Sequence, residues 1–180
     1  METNMLTLEK GRPADGSGRL EKEIKTYDLL DRLGIEYERI DHEPLFTIEA
    51  CMEVDRALGV EICKNLLLTN KQKTAFYMLV MPGYKRFETK VVSKQLGLSR
   101  LSFAPGEKMV ELLDITPGSL TVFGLPNDKE QQVTLVIDRD ILDLEYFAAH
   151  PCINTSSLKI RTADLIQVYL PAIGRDPIII

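Results

Sequence analysis

The chain has 180 residues, 44% hydrophobic and 27% charged, a balance that fits one folded domain with a substantial core and leaves no surplus for a membrane-embedded part. A formal net charge of −5 and a pI near 5.2 exclude a protein that coats nucleic acid by bulk electrostatics, which needs many Lys and Arg contacts to phosphate, but leave a local basic face open. No apolar run approaches the roughly 18 to 20 residues that cross a bilayer, METNMLTLEKGRPADGSG lacks a signal peptide's apolar stretch, and Cys51, Cys63 and Cys152 have no C-x-x-C spacing. The expected compartment is the cytoplasm.

Residues 1–18 are polar and end in Gly, Pro and Ser, which reads as a flexible leader before a single folded domain over 19–180. Leu20, Ile24, Tyr27, Leu30 and Leu33 recur at helical spacing and Gly34 follows as a stop, predicting an amphipathic helix, then a strand over 35–40. Thr47 is placed to cap a second helix ending at Gly59, with Ile48, Cys51, Met52, Asp55 and Leu58 marking its inner and outer sides. The period then changes: 65–69 and 74–81 are short aliphatic and aromatic runs around the polar NKQK, predicting a hairpin in a buried sheet.

Helices are expected over 89–96 and 105–113, with a short strand at 101–103 between them. Further strands are expected at 119–123, 133–138 and 157–161. Thr162 should cap a last helix that Pro171 stops near Leu170. Helices and strands intermix without strict alternation or internal repeat. That predicts an α+β fold, a mixed and curled sheet or partly closed barrel with peripheral helices, rather than a Rossmann sheet.

The chemistry-bearing motifs narrow the function by exclusion first. No G-x-S-x-G elbow supports a serine hydrolase, and the only histidines, His42 and His150, stand in no H-E-x-x-H frame, so no metal is expected. Cys152 follows His150 by two residues, which on a strand would put a thiol and an imidazole on one face; the alternative is a small buried side chain in a turn begun by His150-Pro151. Three segments interrupt apolar sequence with polar residues or glycine. Lys64-Asn65 opens a buried run, either as a solvated strand end or as a fixed cation facing a cleft. TPGSLTVFGLPND (116–128) is either a set of turns or a loop that aims backbone N–H groups at a developing oxyanion. HPCINTSS (150–157) is either a local turn network or a polar pocket wall.

In this order and spacing, HEPLFTIEA (42–50), CKNLLLTNKQKTAFYMLVMPG (63–83), SKQLGLSRLSFA (93–104), TPGSLTVFGLPND (116–128), VIDRDI (136–141) and HPCINTSSLKI (150–160) resemble the YbaK-related editing domains associated with prolyl-tRNA synthetase, and most closely the free-standing ProXp-ala (PrdX-type) deacylases. The resemblance covers about 27–180. It implies hydrolysis of mischarged aminoacyl-tRNA, Ala-tRNA(Pro) first, without a cofactor. The alternatives are a non-catalytic aminoacyl-tRNA or synthetase-binding module and a deacylase for Ser-, Thr- or Cys-charged tRNA; a cysteine-dependent hydrolase using Cys152 and His150 ranks below both. Its partners would be the acceptor end of tRNA(Pro) and prolyl-tRNA synthetase, with no membrane. Carried over by position, Lys64, His150 and Gly118 match the catalytic group, with Gly118 opening the family's G-x-x-x-P loop. Asn65, Phe46, Thr47, Ser119, Gly124, Asn154 and Thr155 fall where substrate is bound, and Lys71, Lys73, Lys85 and Arg86 offer a modest basic surface to tRNA, with Lys90, Lys94 and Arg100 as further candidates. Two positions depart from the pattern: Val122 stands for the loop's proline, and Cys152 for the asparagine after His-Pro.

Overall fold

In the computed structural model, which describes residues 6–180, the chain runs from β1 (Glu9–Lys10) through α1 (Glu21–Arg32), β2 (Tyr37–Asp41) and α2 (Ile48–Leu58) to the hairpin of β3 (Lys64–Asn70) and β4 (Phe76–Met81). Next come α3 (Thr89–Gln95), β5 (Leu101–Phe103), α4 (Gly106–Leu113), a 3-10 turn (Val122–Asn127), β6 (Val133–Ile137), β7 (Tyr146–Ala149) and β8 (Ser156–Arg161). A helical stretch over 162–172, α5, precedes β9 (Ile178–Ile179). One sheet has the order β1-β2-β8-β7 and is antiparallel; the other, β5-β3-β4-β6-β9, is mixed, with β6 parallel to both β4 and β9. The fold is the expected mixed α/β one, as two open sheets rather than a closed barrel.

Strand period two sets the layers. Leu67, Met78, Val80, Leu135 and Ile137 point from the mixed sheet into the main core, where they meet Tyr37, Phe147, Leu158 and Ile160 of the other sheet together with α1, α4 and α5. The alternate residues Leu68, Leu79, Met81 and Val136 face the other way and pack with Val92 and Leu101. Outside the antiparallel sheet, α2 docks with Leu58 on Ile40 and Ala148. Thr47 caps that helix by accepting from the Ala50 N–H at 3.1 Å, and Gly59 ends it in the left-handed region. Only Val54 and Leu58 of α2 are fully buried, while Ile48 and Met52 are exposed, so its inner face is narrower than the sequence pattern suggests. Two buried aliphatics supply roughly 3 to 6 kcal/mol of docking, a slim hold for a helix beside a site.

Four expectations are corrected. The leader is not loose from residue 6 onward: Glu9 and Lys10 pair with Arg39 and Glu38, and the fully buried Arg39 guanidinium is ion-paired to Glu9 and Asp41. A buried guanidinium needs carboxylates, and this segment supplies one of them; residues 1–5 of the predicted leader lie outside the described residues. The strand expected at 119–123 is instead a turn running into the 3-10 turn, buried from Ser119 to Leu125, with Thr121 accepting from the Phe123 N–H at 3.3 Å. A continuous apolar run does not distinguish a strand from a buried helical turn, and Pro126 can donate to no ladder.

Pro171 does not stop the last helix. Leu165–Tyr169 is a π-helical turn in which the Leu170 N–H donates to the Leu165 carbonyl five residues back, and the wider turn takes the proline before helix resumes over Leu170–Ala172. Thr162 does not cap it either: Arg161 is the N-cap, and the Thr162 hydroxyl is buried without a partner. β7 escaped the sequence reading because YFAA is short and half alanine, a residue depleted in strands; its Phe147, Ala148 and Ala149 are fully buried, and that burial holds it.

Candidate functional site

The antiparallel sheet delivers the 150–157 segment and the 42–47 loop to one place. β2 ends at Asp41 opposite Ser156, so His42 follows directly; its N–H donates to the Thr155 carbonyl at 3.0 Å. The two imidazoles lie with centroids 6.1 Å apart, although nothing in their sequence spacing announces it. His42 Nδ1 is 2.8 Å from the Glu43 carbonyl oxygen and its Nε2 is 2.8 Å from Ser157 Oγ. His150 Nδ1 is 2.9 Å from the Ser156 carbonyl oxygen and 3.2 Å from the same Ser157 Oγ. Burial lowers the pKa of both rings; the Ser156 carbonyl opposes this at His150, and the nearby His42 adds to it. His42 and Ser157 are therefore part of the site, and sequence reading missed them because only the β2–β8 register brings them together.

Asn154 ties this cluster to the glycine loop. Its amide spans to the backbone of Leu45, accepting from the N–H and donating to the carbonyl at 3.4 Å each, while its Nδ2 is 3.8 Å from where a Cβ on Gly118 would stand. Gly118 is exposed with φ +94°, a conformation side-chain-bearing residues rarely adopt. Within the loop, the N–H groups of Ser119, Phe123 and Gly124 are committed to Thr116, Thr121 Oγ1 and the Thr121 carbonyl. Gly124 itself lies in the core: a Cβ there would come within 2.2 Å of Ile115 Cδ1, so its lack of a side chain serves packing. Val122 is fully buried at the first position of the 3-10 turn. A helix leaves that N–H without an intrahelical acceptor and readily takes proline there, so valine adds a donor at a position where proline would fit.

Lys64 opens β3 next to Cys63, whose N–H donates to the carbonyl of Ala148 in β7, and so sits where the two sheets meet. Its half-buried ammonium donates to the Lys85 carbonyl at 2.6 Å. Asn65 donates to the Cys63 carbonyl at 3.1 Å, while its Oδ1 is out of water with no donor, the kind of buried acceptor that a ligand N–H or O–H would satisfy. Phe46 is 85% exposed, Thr155 is exposed, Ser119 is buried, and the Thr47 hydroxyl oxygen is engaged as the cap of α2.

Cys152 is not joined to His150. Residues 151–155 are a bend and a turn rather than a strand, Cys152 is buried at φ +65° with its Sγ 3.6 Å from Thr26 Oγ1, and burial pushes its thiol up to about 11. A thiol held neutral and turned into the core is no nucleophile. Among the described residues, no group of three His, Cys, Asp or Glu side chains is placed to hold a metal, and no helix is long and apolar enough to cross a membrane.

The predicted basic surface divides. Lys71 and Lys73 are exposed on the β3–β4 turn, at the far end of a seven-residue strand from Lys64, about 20 Å along it. Arg86 is exposed at the Lys64 end, but the Lys85 ammonium there is paired to Asp138 at 2.7 Å and Asp140 at 2.9 Å. Two surface concavities also fall outside the predicted centre. One, about 490 Å³, runs along Glu9, Asp41, His42, Glu43 and Glu53; the other, about 770 Å³, lies over Tyr37, Tyr146 and Lys159. The first touches the histidine cluster on its acidic side and the second does not touch it. Hydrogen bonding, rather than cavity size, marks the site.

Known proteins resemble this arrangement over most of its length. Residues 42–168 match the aminoacyl-tRNA editing domain model. The chain is 30% identical over 139 residues to the prolyl-tRNA editing protein ProX of Acetoanaerobium sticklandii, covering 77% of this chain and 85% of that one. It is 30% identical over 174 residues to prolyl-tRNA synthetase associated domain-containing protein 1 of Danio rerio, covering 96% and 92%. A solved structure assigned as a trans-editing enzyme for prolyl tRNA synthetase superposes with a TM-score of 0.63 at 16% identity, over 88% of this chain and 95% of that one, and shares the fold.

Proposed function

Because the chain belongs to the aminoacyl-tRNA editing domain family, we propose that it is a deacylase that hydrolyses the ester joining a wrongly attached amino acid to tRNA, with Ala-tRNA(Pro) as its substrate and prolyl-tRNA synthetase as the enzyme whose errors it corrects. The observation that carries this reading is the meeting at one polar patch of three motifs apart in sequence: the turn that bears His150 and Asn154, the loop that bears His42 and Leu45, and the Gly118 turn.

An aminoacyl ester is already activated, so the enzyme has to place a water and stabilise the charge that develops on the carbonyl oxygen. His150 accepts a hydrogen bond from that water. The Gly118 turn lends backbone N–H groups to the oxyanion, where one well-aimed donor contributes about 3 to 4 kcal/mol. Of the loop's amides, those of Gly118, Leu120, Thr121 and Val122 have no acceptor among the described residues, whereas Ser119, Phe123 and Gly124 are already bonded. Lys64 anchors the phosphate or ribose of the terminal nucleotide, and the Asn65 Oδ1 takes a donor from the same end of the substrate. Selectivity follows from size: a proline site rejects alanine by only about 1 to 3 kcal/mol, and a second, smaller pocket corrects that error.

The test is to incubate the purified chain with Ala-, Ser-, Cys- and Pro-charged tRNA(Pro), with and without a chelator, alongside Lys64→Ala, His150→Ala and Cys152→Ala variants. Ala-tRNA(Pro) should be discharged fastest, indifferent to chelation; Lys64→Ala and His150→Ala should slow it, and Cys152→Ala should leave it within about twofold, since a packed thiol adds nothing to the rate. Survival of every charged tRNA as long as in buffer would remove the deacylase reading and leave a module that binds aminoacyl-tRNA.

A further inference from the structure

The hydrogen bonds around the two histidines determine where each proton sits. A carbonyl oxygen only accepts, so a ring nitrogen facing one must carry hydrogen. His42 Nδ1 faces the Glu43 carbonyl at 2.8 Å and His150 Nδ1 faces the Ser156 carbonyl at 2.9 Å; both rings are therefore protonated at Nδ1. In the neutral ring Nε2 is then bare. His42 Nε2, 2.8 Å from Ser157 Oγ, must accept, so the Ser157 hydroxyl spends its one hydrogen on His42. The Ser157 oxygen is left with lone pairs toward His150 Nδ1–H at 3.2 Å, a second acceptor beside the Ser156 carbonyl. Ser157 is fully buried, so no water competes for either bond. The one ring nitrogen of the pair without a partner among the described residues is His150 Nε2.

We infer that His42 and Ser157 are positioning residues, and that the directed chain from the Glu43 carbonyl through His42 and Ser157 to His150 holds the His150 ring in the tautomer that presents a bare Nε2 to water. This rests on the deacylase reading only for what the bare nitrogen does; the proton arrangement stands on geometry alone. Neither residue touches substrate. Reversing the chain would need a proton on His42 Nε2, which would leave the Ser157 hydroxyl to donate toward His150 Nδ1 and force the His150 proton onto Nε2, away from the Ser156 carbonyl. The histidine would then offer water a donor where hydrolysis needs an acceptor.

With only two histidines in the chain, the assignment is directly readable. Protein labelled with 15N at the imidazoles should show, at pH near 8, two rings each with a protonated Nδ1 and an unprotonated Nε2, the reverse of the usual solution preference. In Ser157→Ala the His42 Nε2 resonance should shift downfield as it loses its donor. The deacylation kcat of Ser157→Ala and of His42→Phe should fall roughly tenfold with KM unchanged, the effect of about 1.4 kcal/mol on a rate. His42→Phe keeps Ser157 in place, so a folding defect of the buried serine variant would not decide the matter. An Nε2-protonated ring at either position in the wild-type spectrum overturns the inference, even if the chain deacylates. A wild-type chain that leaves all charged tRNAs intact while showing both Nδ1-protonated rings removes the deacylase reading and leaves the proton chain standing.

Discussion

Around His42 and His150 the side chains satisfy one another: two carbonyls and one hydroxyl assign every ring nitrogen but one. Across Asn154, in the 116–127 loop, side chains contribute little and the backbone conformation carries the site, through a glycine at φ +94° and a short 3-10 turn whose first amide belongs to Val122. The contrast separates two ways of preparing a group for chemistry. A side-chain network fixes protonation and fails when a partner is deleted; a backbone turn fixes N–H direction and fails when its dihedrals are changed. Mutations should therefore sort by type as well as by position.

The largest effect belongs to the side-chain half. His150→Ala removes the proposed acceptor for water and should lower the rate of Ala-tRNA(Pro) hydrolysis roughly a hundredfold or more, the usual worth of a positioned proton acceptor, with the circular dichroism spectrum of the wild type. An unaffected rate would shift the chemistry wholly to the loop. Next is Gly118→Ala. The conformation costs a Cβ about 1 to 2 kcal/mol, and if the turn relaxes, its donors lose their aim; a fall of roughly ten- to a hundredfold in kcat is expected.

Gly124→Ala, six residues along the same loop, should do the opposite. Its Cβ would press on Ile115, at 2.2 Å from Cδ1 and 3.0 Å from Cγ1 in the core. Overpacking there should cost about 1 to 3 kcal/mol and lower Tm by roughly 2 to 4 °C per kcal/mol, while hydrolysis per folded molecule stays near wild type. If Gly124→Ala damages kcat and spares Tm, the division of the loop into a turn that faces substrate and a turn that fills the core is wrong.

The sequence was legible wherever a local rule has one solution. Thr47 and Gly59 bracket α2 because a hydroxyl cap and a left-handed stop are short-range chemistry. The hairpin of β3 and β4 followed from a change of period around four polar residues. The 119–123 strand failed because buried apolar runs look alike whatever their backbone, and Pro171 misled because a π turn upstream relieves what proline ordinarily breaks. At the site, His150, Gly118 and Asn154 could be found through motifs that resemble a family. His42 lay in such a motif yet gained a role only through the pairing of Asp41 with Ser156, a contact between residues more than a hundred positions apart that no local pattern encodes. Lys85 shows the reverse: it reads as a free cation and is consumed by Asp138 and Asp140.

The smallest predicted effect tests the network through stability. Burial lowers the pKa of His42 and His150 below the ordinary histidine value near 6.5, against the raising influence of the Glu43 carbonyl and of the Asp41 and Glu43 charges on His42. Below about pH 6.5 the unfolded chain takes up protons that the folded rings refuse, so the unfolded state binds more protons and stability must fall as pH falls through that window, levelling off below the folded values. Each ring can contribute a slope of at most about 1.4 kcal/mol per pH unit. Carboxylates act lower: Asp41 is held at about 2, where burial would raise it but the Arg19 and Arg39 guanidiniums prevail, so its stabilisation is lost only as pH drops below the usual carboxylate range. Urea midpoints measured between pH 7.5 and 5.5 should therefore decline in the wild type and lie nearly flat in a His42→Gln, His150→Gln double variant. A wild-type midpoint independent of pH in that interval would mean that the rings ionise in place, and a pair that charges freely cannot be the neutral, directed network drawn from its hydrogen bonds.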